Sequence, residues 1–393
     1  MSLLGQDVTI LGAGVAGLAV ARALAMRGAR VTVLEQADAI REVGAGLQIS
    51  PNGMAVMQAL GLGEALSAQS TRAQAVELKD GRDGSMVLKM DIARLRPAQG
   101  WYFVHRADLI EILAAGAREV GVEIRPLQKV DRVDLSGARP QAVTAQGSAF
   151  DAPLMIGADG LHSPMRQAIF GRTAPFFTHQ VAWRATIPAD PGDPPVAEVH
   201  MGAGRHLVSY PLRGGTLRNI VAIEERRRWV EEGWSLRDDP MELRLAFESF
   251  SPRVRGWLDR AEEVWLWGLF RHEVAPDWHR ILPQGAVAML GDAAHPTLPF
   301  LAQGANMALE DAWQLVRSLG ETDSLAAGLA AYQAARKPRC ARIVAAANAN
   351  AKNYHLSGVT RGVAHAALRL SGMMAPGMAL KKFDWLYGFD VTA

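Results

Sequence analysis

Several short apolar runs along this chain end at a glycine or an acidic residue. Residues 8–11, 30–34 and 286–290 are examples, and their composition is typical of strands buried on both faces of a parallel sheet. Residues 18–27 have helical composition, with Gly28 as a stop signal. This alternation predicts an α/β fold in which helices cover a parallel sheet.

From about residue 176 to residue 275 the pattern changes to short strand-like runs separated by turns. We expect an antiparallel sheet there, joined by strands from around residues 70–105. Residues 324–352 are rich in Ala and predict a helix. Residues 359–383 form a weaker amphipathic stretch, for which dimer packing or cover of the core is favoured over a membrane anchor.

Composition narrows the class of protein. The chain has 393 residues, 49% of them hydrophobic, and a net charge of +2, which predicts a globular protein with no nucleic-acid partner. The run Arg226-Arg227-Arg228 precedes Glu231 and Glu232 and indicates a solvated helix face.

Cys340 is the only cysteine, so we expect no disulfide, no metal site and a cytoplasmic location. No charge-free stretch of about 20 apolar residues occurs, and no membrane span is predicted.

The run Gly12-Ala13-Gly14-Val15-Ala16-Gly17 lies between the first apolar strand and the first helix, and Glu35 ends the next strand. This is the context that a dinucleotide-binding fingerprint requires. Gly12 allows a tight turn, Gly14 admits a pyrophosphate, and Gly17 permits close packing of helix on strand. Glu35 is placed to accept hydrogen bonds from ribose hydroxyls. The fingerprint alone does not separate NAD from FAD.

Later glycine-containing segments favour FAD. Gly44-Ala45-Gly46 offers bare backbone to a flat isoalloxazine, although an ordinary loop is the alternative. Arg106, at a strand–helix junction, suits a phosphate, the flavin edge or a structural salt bridge. Gly157-Ala158-Asp159-Gly160 and Gly291-Asp292 each end a buried strand in an acid. The helix that follows Gln303-Gly304-Ala305-Asn306 would direct N–H groups at a flavin carbonyl, and Asp292 could accept from a ribityl hydroxyl.

Taken together, these segments resemble the single-component flavoprotein aromatic hydroxylases, the p-hydroxybenzoate hydroxylase-like family. The branch is similar to the salicylate, 3-hydroxybenzoate and 6-hydroxynicotinate hydroxylases. The resemblance covers nearly the whole chain and includes Arg106-Ala107-Asp108-Leu109, the run 291–312 and Phe383-Asp384-Trp385-Leu386-Tyr387-Gly388.

The resemblance implies a Rossmann-like FAD-binding domain interleaved with an antiparallel-sheet substrate domain, plus C-terminal helices. We place the FAD-binding domain at 1–175 and 276–340, the substrate domain at 176–275 and the helical segment at 341–393.

The resemblance also implies that the protein uses FAD, NADH or NADPH, and O2, and that oxygen is transferred from a flavin C4a-hydroperoxide to a small aromatic substrate. A homodimer is a further expectation. The residues expected to bind the cofactors are Gly12, Ala13, Gly14, Val15, Ala16, Gly17, Glu35, Gln36, Arg41, Ala45, Gly46, Leu47, Arg106, Val130, Asp159, Gly160, Asp292, Pro299, Gly304, Ala305 and Asn306, with Asp159 serving FAD, NAD(P)H or both.

His206 and Tyr210 are the candidate catalytic residues. They lie four apart in a predicted strand and so share one face, and related hydroxylases place a His and a Tyr at this spacing in the substrate pocket. The imidazole could deprotonate or orient a substrate hydroxyl. His295 is interpreted as structural. Pro299 stands where 3-hydroxybenzoate 6-hydroxylases are expected to carry Gln, which favours the salicylate and 6-hydroxynicotinate branch.

Three functions are compatible with this sequence. The first is hydroxylation of a small hydroxylated aromatic or N-heteroaromatic acid. The second is modification of a bulky polycyclic natural product on the same scaffold. The third is a flavin-binding redox protein that hydroxylates nothing. Arg184 and Arg205 could meet a substrate carboxylate, although a surface position is the simpler interpretation.

Overall fold

The computed structural model describes residues 2–39, 45–226 and 236–393. Arg41, Gly44 and most of the arginine- and glutamate-rich segment at 226–232 lie outside the described residues.

Short strands and helices are interspersed along the chain and are numbered in chain order. The first ten strands are β1 (Asp7–Leu11), β2 (Arg30–Leu34), β3 (Gly46–Ile49), β4 (Thr71–Arg72), β5 (Ala75–Asp80), β6 (Met86–Asp91), β7 (Tyr102–His105), β8 (Glu123–Arg125), β9 (Val130–Asp134) and β10 (Gln141–Thr144). The others are β11 (Ala149–Asp151), β12 (Leu154–Gly157), β13 (Phe176–Pro188), β14 (Val196–Gly202), β15 (Arg205–Leu212), β16 (Leu217–Glu225), β17 (Arg237–Asp238), β18 (Val264–Arg271), β19 (His279–Leu282) and β20 (Gly285–Met289). The helices are α1 (Val15–Ala25), α2 (Pro51–Ala59), α3 (Gly63–Gln69), α4 (Ile92–Leu95), α5 (Arg106–Glu119), α6 (Pro164–Phe170), α7 (Pro240–Ala246), α8 (Pro252–Asp259), α9 (Gly304–Gly320), α10 (Leu325–Tyr354), α11 (Gly358–Met374), α12 (Met378–Lys382) and α13 (Asp384–Tyr387).

The first sheet has the order β19-β20-β12-β1-β2-β8 and is parallel except for the edge strand β19. Its central strands are buried almost throughout, as their apolar sequences predict. α1 packs against α5 and α9 beside this sheet. The predicted α/β core with a Rossmann-like glycine turn after β1 is confirmed.

The second sheet has eight strands in the order β17-β18-β13-β16-β15-β14-β5-β6. All of its pairings are antiparallel except β14 with β5. The predicted antiparallel sheet is therefore confirmed, and β5 and β6, from residues 75–91, join it. The domain bounds that we placed around it stay a prediction.

β8 joins the parallel sheet, whereas β9, β10 and β11 form a separate three-stranded sheet. One local feature differs from the sequence-based prediction. The short helices α7 and α8 interrupt the region in which only strands and turns were expected. Each begins with a proline in its first turn, a position that proline favours.

The C-terminal part is helical, as predicted. α10 runs for 30 residues and carries Pro338 inside it. Several apolar side chains of α11, including Val359 and Met373, are exposed. Among the described residues, no helix is both long and apolar enough to cross a bilayer. The homodimer stays a prediction.

A buried ion-pair cluster joins α9 to α10. Arg336 donates to Glu310 at 2.5 Å and to Asp311 at 2.7 Å, and all three side chains are at most 1% exposed. Asp311 also accepts from the Gly291 backbone N–H at 3.1 Å and is hydrogen-bonded to His295. Burial alone would raise the pKa of Asp311, but the attraction of His295 and Arg336 holds it at about 2. The cluster thus fixes the turn after β20 against two helices, and it gives His295 the structural role that we expected.

We predict that Arg336→Met lowers the free energy of unfolding by about 3–5 kcal/mol, because two buried carboxylates lose their shared cation. Urea unfolding followed by circular dichroism measures the change. The control is Arg30→Met, because Arg30 pairs with Asp7 while both side chains are more than half exposed. This variant should unfold almost as the wild type does, because an exposed ion pair contributes little in water. Equal losses in the two variants would contradict a structural role for the buried cluster.

Candidate active site

One cavity of about 1320 Å³ runs between the carboxyl edge of the parallel sheet and one face of the eight-stranded sheet. Its walls include the glycine turn after β1 at one end and side chains of β13, β15, β16 and β18 at the other. Ligands of open α/β sheets bind outside the carboxyl ends of the strands. The sequence-predicted residues can therefore be placed relative to this one space.

The glycine turn presents bare backbone to the cavity. Gly12 has φ +98°, and a Cβ there would lie 2.5 Å from the carbonyl oxygen of Ala158. Gly14 precedes α1, and a Cβ there would meet no atom of the described residues within 4 Å. Within the described part of the chain no side chain caps the start of α1, so its first N–H groups and its positive dipole end suit a pyrophosphate.

Glu35 holds this turn in place. Its two carboxylate oxygens accept the backbone N–H groups of Ala13 at 2.7 Å and Ala37 at 2.9 Å. The residue also lies on the cavity wall. A carboxylate has further lone pairs, so Glu35 can order the turn and still accept a ribose hydroxyl.

Three charged residues line the middle of the cavity. Asp159 accepts the Met165 N–H at 3.0 Å through Oδ2, whereas its Oδ1 is buried with no hydrogen-bond partner in the described part of the chain. Burial raises the pKa of Asp159 to about 6. Arg106 and Asp292 also face the cavity, and burial lowers the pKa of Arg106 while Asp292 opposes that shift. Asp159 Oδ1 is a buried acceptor that a ligand hydroxyl would satisfy.

β3 separates the cofactor end from the substrate end and contacts the large sheet directly. The Gly46 N–H donates to Asn219 Oδ1 at 2.8 Å. A Cβ at Gly46 would lie 2.6 Å from the ring of Tyr210 and 2.8 Å from Asn219. Glycine is therefore required at this position for packing, whatever ligand the cavity holds.

α9 opens toward the cavity at Gly304 and Ala305. Asn306 lies in the same turn but is fully buried, and its amide is used within the protein. It accepts the Ser50 N–H at 3.0 Å and donates to the carbonyl of Gln48 at 2.9 Å. The side chain of Asn306 ties α9 to β3, so only its backbone is in a position to serve a ligand.

Most of the residues predicted to bind the cofactors line the cavity, and a few do not. The cavity wall includes Gly12, Gly14, Val15, Ala16, Glu35, Gln36, Gly46, Leu47, Arg106, Val130, Asp159, Gly160, Asp292, Pro299, Gly304 and Ala305. Ala13, Gly17, Ala45 and Asn306 do not line it. Arg41 lies outside the described residues.

One face of the large sheet forms the substrate end. His206 and Tyr210 both line the cavity with Val208 between them, as the two-residue period of a strand requires. In the sheet register Val208 pairs with Val221, and Val221 pairs with Arg184. Arg184 therefore projects from the same face, two strands away.

Arg184 is not a surface residue, so the simpler interpretation of it was wrong. It lines the cavity with its guanidinium 4.4 Å from the centre of the Trp267 ring. Burial, reinforced by Arg106, lowers the pKa of Arg184 to about 10, so it is cationic at neutral pH. Arg205 lies elsewhere and pairs with Glu224 at 3.3 Å.

His206 contacts a second histidine that the sequence did not point to. Its Nδ1 lies 2.7 Å from Nε2 of His355, and Nδ1 of His355 lies 2.7 Å from Glu225. Burial, and secondly His355, keep the pKa of His206 well below its usual value. His206 is thus a neutral base near pH 7. Burial likewise raises the pKa of Tyr210, which stays a neutral hydroxyl.

Among the described residues, His295, Asp311 and Cys340 are close enough together to share a metal ion. Asp311 is already paired with the buried Arg336 and with His295. The guanidinium of Arg336 also lies 3.4 Å from the sulfur of Cys340. Two of the three candidate ligands, Asp311 and Cys340, thus already contact a buried cation.

The donor set fits FAD. Bare glycine backbone at the start of α1 suits a pyrophosphate. The acid at the end of β2 suits a ribose. The buried acceptor Oδ1 of Asp159 suits a hydroxyl of the ribityl chain. The cavity then continues past Gly46 to a second space with a base and a cation, which suits a separate small substrate.

Comparison with known proteins agrees with this geometry. Residues 6–347 match the family model described as an FAD binding domain. The 3-amino-4-hydroxybenzoate 2-monooxygenase of Streptomyces cremeus is 36% identical over 89% of this chain and 88% of that protein. The 3-hydroxybenzoate 6-hydroxylase of Polaromonas naphthalenivorans is 33% identical over 98% and 96%.

A solved structure titled as a salicylate hydroxylase substrate complex has a TM-score of 0.80 at 23% identity, covering 98% of this chain and 96% of that one. This likeness shows the fold. The family match and the two relatives show more: the chain belongs to the FAD-binding domain family and, within it, to the NAD(P)H-dependent flavoprotein aromatic monooxygenases.

Proposed function

We propose that the substrate is a small benzoate-type acid with a ring hydroxyl, held between Arg184 and His206. The observation that carries this proposal is the pairing of a half-buried cation and a neutral, fully buried base on one face of one sheet. Two relatives named for a hydroxybenzoate substrate support the same class.

The spacing suits a single ring. Arg184 and Val208 are two strands apart, so their Cα atoms are separated by roughly 10 Å. His206 lies one two-residue step along β15 from Val208. Both side chains project from the same face of the sheet, over which the ring of the substrate would lie. Arg184 would bind the carboxylate, while His206 takes up the hydroxyl proton.

The chain's own residues prepare the ring for oxygen transfer. Removal of the hydroxyl proton by His206 places electron density on the ring, and Tyr210 keeps a neutral hydroxyl nearby. Trp267, Leu298 and Phe300 give the cavity apolar walls, which exclude water from the reacting groups. Bound FAD, reduced by NAD(P)H, supplies the activated oxygen.

A bulkier substrate is the second candidate. The cavity extends beyond His206 along an apolar stretch that includes Met90, Met201 and Leu368. A polycyclic compound would bury this stretch, whereas a single-ring acid would leave it uncovered. NAD(P)H oxidation that responds to polycyclic phenols and not to hydroxybenzoates would favour this candidate.

We predict that His206→Ala keeps FAD bound but slows hydroxylation by about 10²-fold or more, because general base catalysis typically contributes 10²–10⁴-fold. NAD(P)H oxidation and hydrogen peroxide are measured together, and flavin content is the control. Since the pKa of His206 is lowered, the wild type should lose activity only as the pH falls through that lowered value. Unchanged turnover and coupling in the variant would remove His206 from the mechanism.

We predict that Arg184→Met raises the KM for a carboxylated substrate about 10- to 100-fold, the range expected for a lost hydrogen bond to a charged group. The phenol without its carboxylate should be used equally well by the variant and the wild type. Arg205→Met is the matched control, because Arg205 lies off the cavity wall. A similar KM in the Arg184 variant and the wild type would contradict carboxylate recognition.

We predict that Glu35→Ala raises the Kd for FAD about 10- to 100-fold, because a charged acceptor for the ribose and the order of the glycine turn are both lost. Equilibrium titration of the apoprotein measures it. Glu123→Ala removes an exposed carboxylate from neighbouring β8, away from the cavity, and should bind FAD as the wild type does. A fully loaded Glu35 variant with unchanged affinity would contradict this role.

A further inference from the structure

Three side chains form a hydrogen-bonded line from the substrate end of the cavity to the protein surface. His206 lies on the cavity wall and is 1% exposed, and His355 behind it is 8% exposed. The side chain of Glu225 at the far end is 53% exposed. The two connecting distances are both 2.7 Å, so each step is a direct hydrogen bond.

The carboxylate fixes the direction of these hydrogen bonds. Glu225 can only accept when it is ionised, so Nδ1 of His355 carries the proton and its Nε2 is an acceptor. His206 must then donate through Nδ1 to His355, which leaves its Nε2 as a lone pair. Burial lowers the pKa of both imidazoles, so both are neutral near pH 7. With both imidazoles protonated on Nδ1, His206 can accept a proton at Nε2.

Backbone hydrogen bonds hold the line together. The Gly204 N–H donates to the carbonyl of His355 at 3.2 Å, and the Glu225 N–H donates to the carbonyl of Gly204 at 2.9 Å. Gly204 has φ +67° in the turn between β14 and β15. One tight turn thus fixes His355 and Glu225 relative to the strand that carries His206.

The side chains around His206, His355 and Glu225 leave the two hydrogen bonds between these residues intact. Tyr354 and Phe300 pack on the His206 ring with centroids 4.9 Å and 5.6 Å away. Arg205, which opposes a positive charge on His355, is paired with Glu224. Glu224 precedes Glu225 in β16 and therefore projects from the opposite face, where it also accepts from Arg226 at 2.8 Å.

We propose that His206, His355 and Glu225 form a proton relay that carries the substrate's hydroxyl proton from the substrate end of the cavity to solvent. The inference rests on the proposed function, in which His206 takes that proton. The O–H bond of the substrate breaks as an N–H bond forms at His206 Nε2. The Nδ1 proton of His206 passes to His355 Nε2, the Nδ1 proton of His355 passes to Glu225, and Glu225 releases it to water.

The relay also runs backward. After outward transfer both imidazoles carry their protons on Nε2. Return of a proton through Glu225 to His355 Nδ1, and onward to His206 Nδ1, lets His206 Nε2 protonate the hydroxylated product. One outward and one inward transfer restore the starting tautomers, so neither buried ring has to rotate. No oxidant or reductant is needed for either step.

Proton release on binding of 3-amino-4-hydroxybenzoate to the FAD-loaded protein, without NAD(P)H, tests the relay. A pH-indicator dye in weakly buffered solution follows the release after rapid mixing. We expect Glu225→Gln to slow release by about 10²-fold or more, the typical loss when a general acid–base group is removed. The Kd of the probe should stay unchanged, because glutamine can still accept from His355.

Glu224→Gln is the matched control, because it removes the same charge from the neighbouring residue without touching His355. It should release the proton at the wild-type rate. His355→Gln should be as slow as Glu225→Gln, and the more exposed Glu225 keeps the test valid if the buried variant fails to fold. Wild-type release rates in Glu225→Gln, or no proton release by the wild type, would overturn the relay.

The proposed function has its own readout. NAD(P)H oxidation by the wild type in the presence of a panel of hydroxybenzoates, with product analysis, reports hydroxylation whether or not a proton leaves through Glu225. If the wild type hydroxylates a hydroxybenzoate but Glu225→Gln releases the proton at the wild-type rate, the relay is overturned and the substrate proposal stands. Absence of ligand-stimulated oxidation with every hydroxybenzoate would overturn the substrate proposal.

Discussion

The buried carboxylate of Asp311 is the constraint on which the architecture of the active site depends. A charge without solvent must be paired, and its partners come from the turn after β20 and from α10. Those partners fix Asp292 at the cavity and hold α9 with its open N-terminus facing the same space. The flavin end of the site is thus positioned by a cluster that does not itself line the cavity.

The contact between the cofactor end and the substrate end has a different physical basis. It depends on the absence of a side chain at Gly46, where the backbone of β3 lies against Tyr210 and Asn219. A larger residue would push β3 away from the large sheet. The spacing between β3 and the large sheet is therefore set by contact of bare backbone with two buried side chains.

Local patterns in the sequence predicted much of this molecule. The strand–glycine–helix unit and the shared face of His206 and Tyr210 follow from periods of a few residues. Features that depend on distant register were missed or misjudged. His355 is 149 positions from His206 and ends a helix with no motif, and Arg184 enters the cavity only because β13 pairs with β16. The side-chain amide of Asn306 is used by β3, which no local pattern reveals, and the part of Asn306 in cofactor binding stays a prediction.

A hydroxylase of this kind must satisfy two opposed requirements at one place. Oxygen transfer needs a site from which water is excluded, whereas ionisation of a ring hydroxyl needs a route by which a proton can leave. Apolar walls at Trp267, Leu298 and Phe300 meet the first requirement. A water channel would meet the second only by undoing the first. The proposed relay, whose hydrogen-bonded side chains reach from a buried imidazole to an exposed carboxylate, meets both, because it moves a proton without a channel of water.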